Sequence, residues 1–313
     1  MSIVNSVLGP LDTKDLGFTL MHEHIMSQGP VAQNFPELFG EGFMDRIING
    51  VTEAKKEGID TIVDATTYDL GRDVSVLADI ARRTSVNIIA CSGWWMNLPE
   101  YIAGTSPDLY AGLFVREIQE GIAGTGIKAG ILKSAADHGE VTATGEIMLR
   151  AVARAHCRTQ VPIMLHSDAL GQLARQQLAI LKEEGVDLNR VAVDHVNDTT
   201  DMEYLTWMLG QGCYLGMDRY PGLGLSSSDR TETMKSLIDT GWIDRLLPSH
   251  DFGLATPETF YPPDVKESIE KGNPYGYLYM KKVVFRQLRE MGVPEAVLDT
   301  LCVNGPRKFF EGA

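Results

Sequence analysis

Short apolar runs and amphipathic stretches alternate along the chain. Eight runs are rich in aliphatic or β-branched residues at both odd and even positions: 18–24, 59–66, 86–93, 126–133, 161–168, 190–196, 212–218 and 245–251. A strand with one solvated face alternates apolar and polar residues; these runs do not, as expected for parallel strands covered on both faces. The segments 43–58, 73–84, 146–159, 175–185, 201–212 and 229–241 carry apolar residues at three- and four-residue spacing. Several end in Gly just before the next run, where a left-handed helix stop is easiest. Eight strands alternating with helices predict a (β/α)8 TIM barrel of the α/β class. An open doubly wound sheet is the rival, but no Gly-rich phosphate loop follows the first run. Residues 1–17 are expected to form a hairpin under the barrel, and 277–292 and 294–310 two closing helices. No composition shift or low-complexity tract divides the chain, so residues 1–313 are expected to form a single domain.

Composition narrows the classes of function. With 28 basic and 42 acidic side chains the net charge is −14, which disfavours a nucleic-acid footprint or an anionic membrane surface, both of which need clustered Lys and Arg. Cys91, Cys157, Cys213 and Cys302 form no closely spaced pair, so neither a disulfide framework nor a thiolate zinc finger is expected. No run approaches the roughly 20 apolar residues needed to cross a bilayer, and the start of the chain reads as no signal peptide. The expectation is a soluble, cytoplasmic protein.

Catalytic groups of such a barrel come from the C-terminal ends of its strands. The first run ends His22-Glu23-His24, the fourth Lys133, the fifth His166, the sixth His195 and the eighth His250-Asp251. His22 and His24, two apart on a strand, share a face, and two imidazoles on one face suit a divalent metal. Such a pair is by itself also compatible with packing. His166, His195 and Asp251 add two imidazoles and a carboxylate at the same rim. Lys133 reads either as a snorkelling or ion-paired lysine, or as an amine that captures carbon dioxide to become a carbamate. His250, adjacent to Asp251, should face away from the cavity, and His138 and His156 read as structural.

Taken in order, LGPLDTKDLGFTLMHEH (8–24), TGIKAGILKSAAD (125–137), VPIMLHSDA (161–169), EEGVDLNRVAVDHVNDTTD (183–201), YLGMDRYPG (214–222), LPSHD (247–251) and NGPRKFF (304–310) resemble the phosphotriesterase family of the amidohydrolase superfamily, including the phosphotriesterase-like lactonases. The resemblance spans nearly the whole chain. It implies a (β/α)8 barrel with a binuclear metal centre: His22, His24 and Asp251 on the more buried metal, His166 and His195 on the more exposed one, and carboxylated Lys133 bridging them. Zinc is the first expectation, and the same donors accept Co, Mn or Fe. Carbon dioxide is then needed to carboxylate the lysine. Two cations sharing a water lower its pKa from 15.7 to about 7, the exposed cation polarises the substrate oxygen, and Asp251 takes the proton.

The substrate side departs from both best-known branches. Where lactonases carry a tyrosine after the third strand, this chain reads SGWWMNLP, which puts Trp95 there; Trp94 and Trp95 read equally as loop anchors. Arg219 in GMDRYPG resembles the lactonase arginine, or serves a rim ion pair. The segment after Asp251 differs from the lactonase loop, and Phe252, Phe260 and Tyr261 are candidates for an apolar substrate pocket or for surface packing. The expected substrate is a small neutral ester, lactone or organophosphate: lactone or carboxylic ester hydrolysis first, with phosphotriesterase activity secondary, and primary triester hydrolysis as the alternative. A mononuclear deaminase of the same superfamily and a ligand-binding protein on a retired scaffold are the competing readings. The family resemblance implies a homodimer.

Overall fold

Strand-forming runs without polar alternation have to be covered on both sides, and the computed structural model, which describes residues 2–27, 35–96, 98–257 and 262–312, covers them by closing the sheet on itself. The chain starts with an antiparallel hairpin of β1 (Ile3–Ser6) and β2 (Gly9–Asp12). Nine parallel strands follow: β3 (Thr19–Met26), β4 (Thr61–Asp64), β5 (Asn87–Gly93), β6 (Ile131–Ala135), β7 (Ile163–His166), β8 (Val191–Asp194), β9 (Tyr214–Met217), β10 (Leu246–Pro248) and β11 (Gly253–Ala255). Their order is β10-β9-β8-β7-β6-β5-β4-β3-β11. β10 pairs with β9 and β11 with β3, so the two are halves of one broken eighth strand that closes a (β/α)8 barrel.

Eight helices of eight residues or more surround the described sheet: α1 (Phe43–Lys56), α2 (Val74–Thr84), α3 (Pro107–Gln119), α4 (Ala143–Thr159), α5 (Ala174–Glu183), α6 (Met202–Gly210), α7 (Ser227–Asp239) and α8 (Pro263–Gly272). Side-chain caps fix several starts: Asp73 accepts from Ser75 and Val76, Thr142 from Gly145, Asp201 from Tyr204 and Ser226 from Asp229. Each such cap is worth about 1 kcal/mol.

The hydrophobic pattern did not reveal α3 or α8. In α3 the buried Tyr110, Ala111, Phe114 and Ile118 share the helix with exposed Leu109 and Leu113, which blurs its one-sidedness. α8 is mostly polar and sits in what reads as one long loop after Asp251. The two closing helices form as their periodicity suggests, each as a continuous helical run that contains a π-turn. π-turns at Met280–Val284 and Thr300–Asn304 precede α9 (Phe285–Glu290) and α11 (Gly305–Glu311), with α10 (Glu295–Asp299) between them. The second π-turn lies just before Pro306, which lacks an N–H to continue an α-helical ladder.

The inside of the barrel has two chemical layers. Its lower layer is hydrocarbon: Met21, Val63, Ile89, Ile131, Met164, Ala192, Tyr214 and Leu247 meet there, sealed by Val4, Leu16, Phe309 and Phe310 from the termini. Side chains alternate across a strand. Two residues beyond Ile131, Met164 and Ala192, the same inward face therefore presents Lys133, His166 and Asp194. The hydrocarbon floor keeps water from below and supports the ionisable layer.

Candidate metal centre

A local irregularity in β3 delivers its histidines. The register against β4 shifts between Leu20 and Glu23, so Met21 packs in the hydrocarbon floor while its neighbour His22 also faces the interior. Glu23 then points outward and His24 inward. Lys133 lies in the middle of β6 rather than at its end, because that strand runs on to Ala135. His166 closes β7. His195 follows β8 with φ of 65°, and Asp251 lies in the break of the eighth strand with φ of 52°. Both backbones are in the left-handed region that non-glycine residues rarely adopt.

Each of the four imidazoles has one ring nitrogen on an oxygen and the other turned toward the common cavity. His22 Nδ1 is 2.8 Å from Asp218 Oδ2, and its Nε2 is 2.6 Å from Lys133 Nζ. His24 Nδ1 is 2.9 Å from Thr66 Oγ1, and its Nε2 is 3.2 Å from Asp251 Oδ1. His195 Nδ1 is 3.1 Å from Asp218 Oδ1, while its Nε2 lies 2.8 Å from His166 Nδ1. His166 Nε2 is 3.3 Å from Asp137 Oδ2. An oxygen acceptor on the outer nitrogen fixes the tautomer and leaves a lone pair inside, as metal-ligating histidines require.

Asp251 stands between the imidazoles. Its Oδ1 is 3.5 Å from His22 Nε2, and its Oδ2 is 3.7 Å from His195 Nδ1 and 3.3 Å from Arg219 Nε. His22, His24 and Asp251 each offer a donor atom within 4.8 Å of the others, as a cation site needs. His22, His195 and Asp218 meet the same distance criterion, but both imidazoles already meet Asp218 through Nδ1, so we read that group as the support beneath the site.

The charges fit a cation. Burial and the Lys133 ammonium oppose a charge on His22, yet Asp194, Asp218 and Asp251 outweigh them and raise its pKa to about 10. Three carboxylates thus demand positive charge at this buried imidazole, whether from a proton or a metal. Burial holds His195 well below the ordinary imidazole value, reinforced by Arg219 and His166. Burial also lowers His166 against the pull of Asp137. These two rings are neutral at neutral pH, the form that binds metal. For Asp251, burial works toward protonation, but His195, His22 and His24 outweigh it and keep the group well below the usual carboxylate range. Asp194 is raised by burial; its Oδ2 lies 3.1 Å from His22 Nδ1 and 3.9 Å from Lys133 Nζ.

Asp218, Asp194, Asp137 and Thr66 were missed among the candidate site residues. The criterion that selected the candidate residues, a polar residue closing an apolar run, also selects Asp194 and Asp218. Gly216 belongs with them: a Cβ there would come within 2.8 Å of carboxylate oxygens of both Asp194 and Asp218.

Two cavities open beside the cluster. One of about 700 Å³ has walls from Asp251, Phe252, Leu254, Tyr220 and Ile269. The other, about 480 Å³, is bounded by Asp137, His166, Asp168 and Leu170. Arg219, Asp198 and Leu223 border both. Arg219 forms a short ion pair with Asp198, which in turn pairs at 2.7 Å with fully buried Arg230. Trp95 lines neither cavity; its indole Nε1 is 3.3 Å from His166 Nδ1. Phe260 and Tyr261 lie outside the described residues. His250 directs its Nδ1 to Glu23 Oε1 at 2.5 Å, yet the residue also borders the larger cavity, contrary to the expectation that it faces away. His156 Nδ1 is 2.7 Å from Val161 O, and His138 is exposed in a turn. Among the described residues no helix is long and apolar enough to cross a membrane.

Comparison with known proteins agrees in extent. The chain is 38% identical to a phosphotriesterase homology protein of Mycobacterium tuberculosis, over 99% of this chain and 98% of that protein. It is 35% identical to an aryldialkylphosphatase of Saccharolobus solfataricus, over 96% of each, and 25% identical to an N-acetyltaurine hydrolase of Mus musculus, over 98% and 97% respectively. The relatives so named include hydrolases of different substrates. The sequence model of the phosphotriesterase family matches residues 2–310, and the chain belongs to that family.

Proposed function

We propose that this protein, acting as one domain, is a binuclear metal-dependent hydrolase of a lactone or carboxylic ester, with organophosphate triester cleavage as a secondary activity. The observation that carries the reading is the set of four imidazoles, each anchored outward on an oxygen and turned inward around Asp251 and Lys133. His22, His24 and Asp251 would hold one cation, and His166 and His195 the second. Lys133 would bridge them once its neutral amine has added to carbon dioxide, losing a proton to give a carbamate. When bound, the cations supply a water of lowered pKa and polarise the oxygen of the group under attack.

The chain's own residues do the rest. Asp251 accepts the proton released as water attacks, and Arg219 holds that carboxylate in place through the contact to its Oδ2. Phe252, Leu254 and Tyr220 offer an apolar wall to the acyl or phosphoryl substituents. Trp95 braces His166. The aryldialkylphosphatase among the relatives supports the secondary activity. Zinc is the proposed metal and a homodimer the proposed assembly.

Elemental analysis joined to a panel of lactones, aryl esters, aryl phosphotriesters and N-acetyltaurine tests the reading. Two metal equivalents per chain with turnover of a lactone or carboxylic ester are expected. Metal-replete protein inactive across the panel would refute it, and selective triester turnover would make the triester the primary substrate.

A further inference from the structure

Asp251 owes its place to a break in the eighth strand, and a strand break in a buried sheet leaves backbone N–H groups that need partners. Of the four such groups in 249–252, Ser249 N donates to Met217 O at 3.3 Å and Asp251 N to His22 O at 3.1 Å. The other two go to one side chain: His250 N donates to Glu23 Oε1 at 3.0 Å and Phe252 N to Glu23 Oε2 at 3.1 Å. The same carboxylate accepts from Ser249 Oγ at 2.7 Å and faces His250 Nδ1 at 2.5 Å. His250 Nε2 accepts from Met280 N at 3.0 Å, so the ring proton is on Nδ1 and donates to Glu23. Ser249 Oγ also accepts from His22 N at 3.1 Å. Glu23 is fully buried, and four donors converge on it from the residues flanking Asp251.

We propose that Glu23, the outward residue of His22-Glu23-His24, is a positioning residue for Asp251. It holds 249–252 in the conformation that gives Asp251 its φ of 52° and aims its carboxylate at His22, His24 and His195. The two ends of the barrel thus meet on one short motif, whose inward side chains line the site while its outward one sets the opposing carboxylate. This rests on reading the site as a metal centre.

The test is a double-mutant cycle of Glu23→Gln and Asp251→Asn, read by cobalt affinity in competition with a chelator, by the cobalt absorption spectrum and by thermal melting. Wild-type protein that retains no cobalt would overturn the metal-centre reading itself. With cobalt bound to wild type, Glu23→Gln should weaken affinity about 10- to 100-fold and alter the spectrum when Asp251 is present. It should weaken affinity no more than about threefold when residue 251 is Asn, on the usual scale of non-additivity between coupled sites. A purely structural role would lower the melting temperature and the affinity equally on both backgrounds, and that result, or unchanged affinity, overturns the proposal. Should Glu23→Gln fail to fold, Ser249→Ala removes one of the four donors and enters the same cycle. It should give a smaller loss of about threefold or more that again requires Asp251, following the same principle of support for ligands; no loss overturns the proposal.

Discussion

Asp218 supports two imidazoles at once, so an amide in its place must cost at least one of them its acceptor. Its Oδ2 faces His22 Nδ1 at 2.8 Å, and its Oδ1 receives both His195 Nδ1 at 3.1 Å and His195 N at 2.8 Å. In Asp218→Asn one oxygen becomes an NH2 donor. The less costly orientation keeps the two contacts to His195 and turns the amide NH2 toward His22 Nδ1–H. His22 then either loses a hydrogen bond or shifts its proton to Nε2, the nitrogen that faces Lys133 and the cavity. A hydrogen bond to a charged group contributes about 1.5–3 kcal/mol, and about 1.4 kcal/mol is tenfold in affinity. One lost bond therefore predicts roughly 10- to 100-fold weaker metal binding, which agrees with typical losses on changing a ligand's support. Cobalt titration against a chelator, with thermal melting as a control for folding, measures it. Affinity within about threefold of wild type would refute the tautomer argument, because that is below the smallest loss one such bond implies.

Other perturbations separate the parts of the site. Asp137→Asn, which among the four cavity imidazoles contacts His166, should reduce the occupancy of the second cation and leave the first, as elemental analysis after limited dialysis would show. Lys133→Ala should lower both metal content and hydrolysis, whereas intact content and rate would favour the mononuclear deaminase reading. Phe309→Ala removes a fully buried ring packed 5.1 Å from Tyr214 and should destabilise the floor by about 3–5 kcal/mol, measured by denaturant unfolding. The stability of chelator-treated protein should depend on pH with two signs. His22, raised from 6.5 to about 10, contributes fully below pH 6.5 and loses its contribution as pH rises through about 10. His166 and His195, lowered by burial, lose theirs as pH falls below 6.5. The melting temperature should fall on both sides; a flat profile between pH 5 and 10 would contradict these environments.

Much of this architecture was legible because strands buried on both faces cannot alternate, so the eight runs stood out without any long-range information. The candidate site residues stood out for a related reason: an ionisable side chain inside an apolar run is costly unless it has a function or a partner. That argument applied equally to Asp194 and Asp218, whose role became visible only through the histidine nitrogens they face. The bulge that turns both Met21 and His22 inward depends on register with β4, a non-local property. The left-handed backbones at His195 and Asp251 have only a weak local signal: His and Asp are enriched in that region, but most of them lie outside it. α3 escaped because Leu109 and Leu113 are exposed, and the π-turns because they interrupt an otherwise regular helical pattern.

The most direct measurement is anomalous diffraction from crystals grown with zinc or cobalt and bicarbonate. The account predicts two peaks per chain, about 3.5–4 Å apart as in binuclear sites, one against His22, His24 and Asp251 and the other against His166 and His195, with carboxyl density on Lys133 between them. Metal-soaked crystals with no peak within reach of these side chains, or with a bare amine at Lys133 and a single ion held elsewhere, would contradict it.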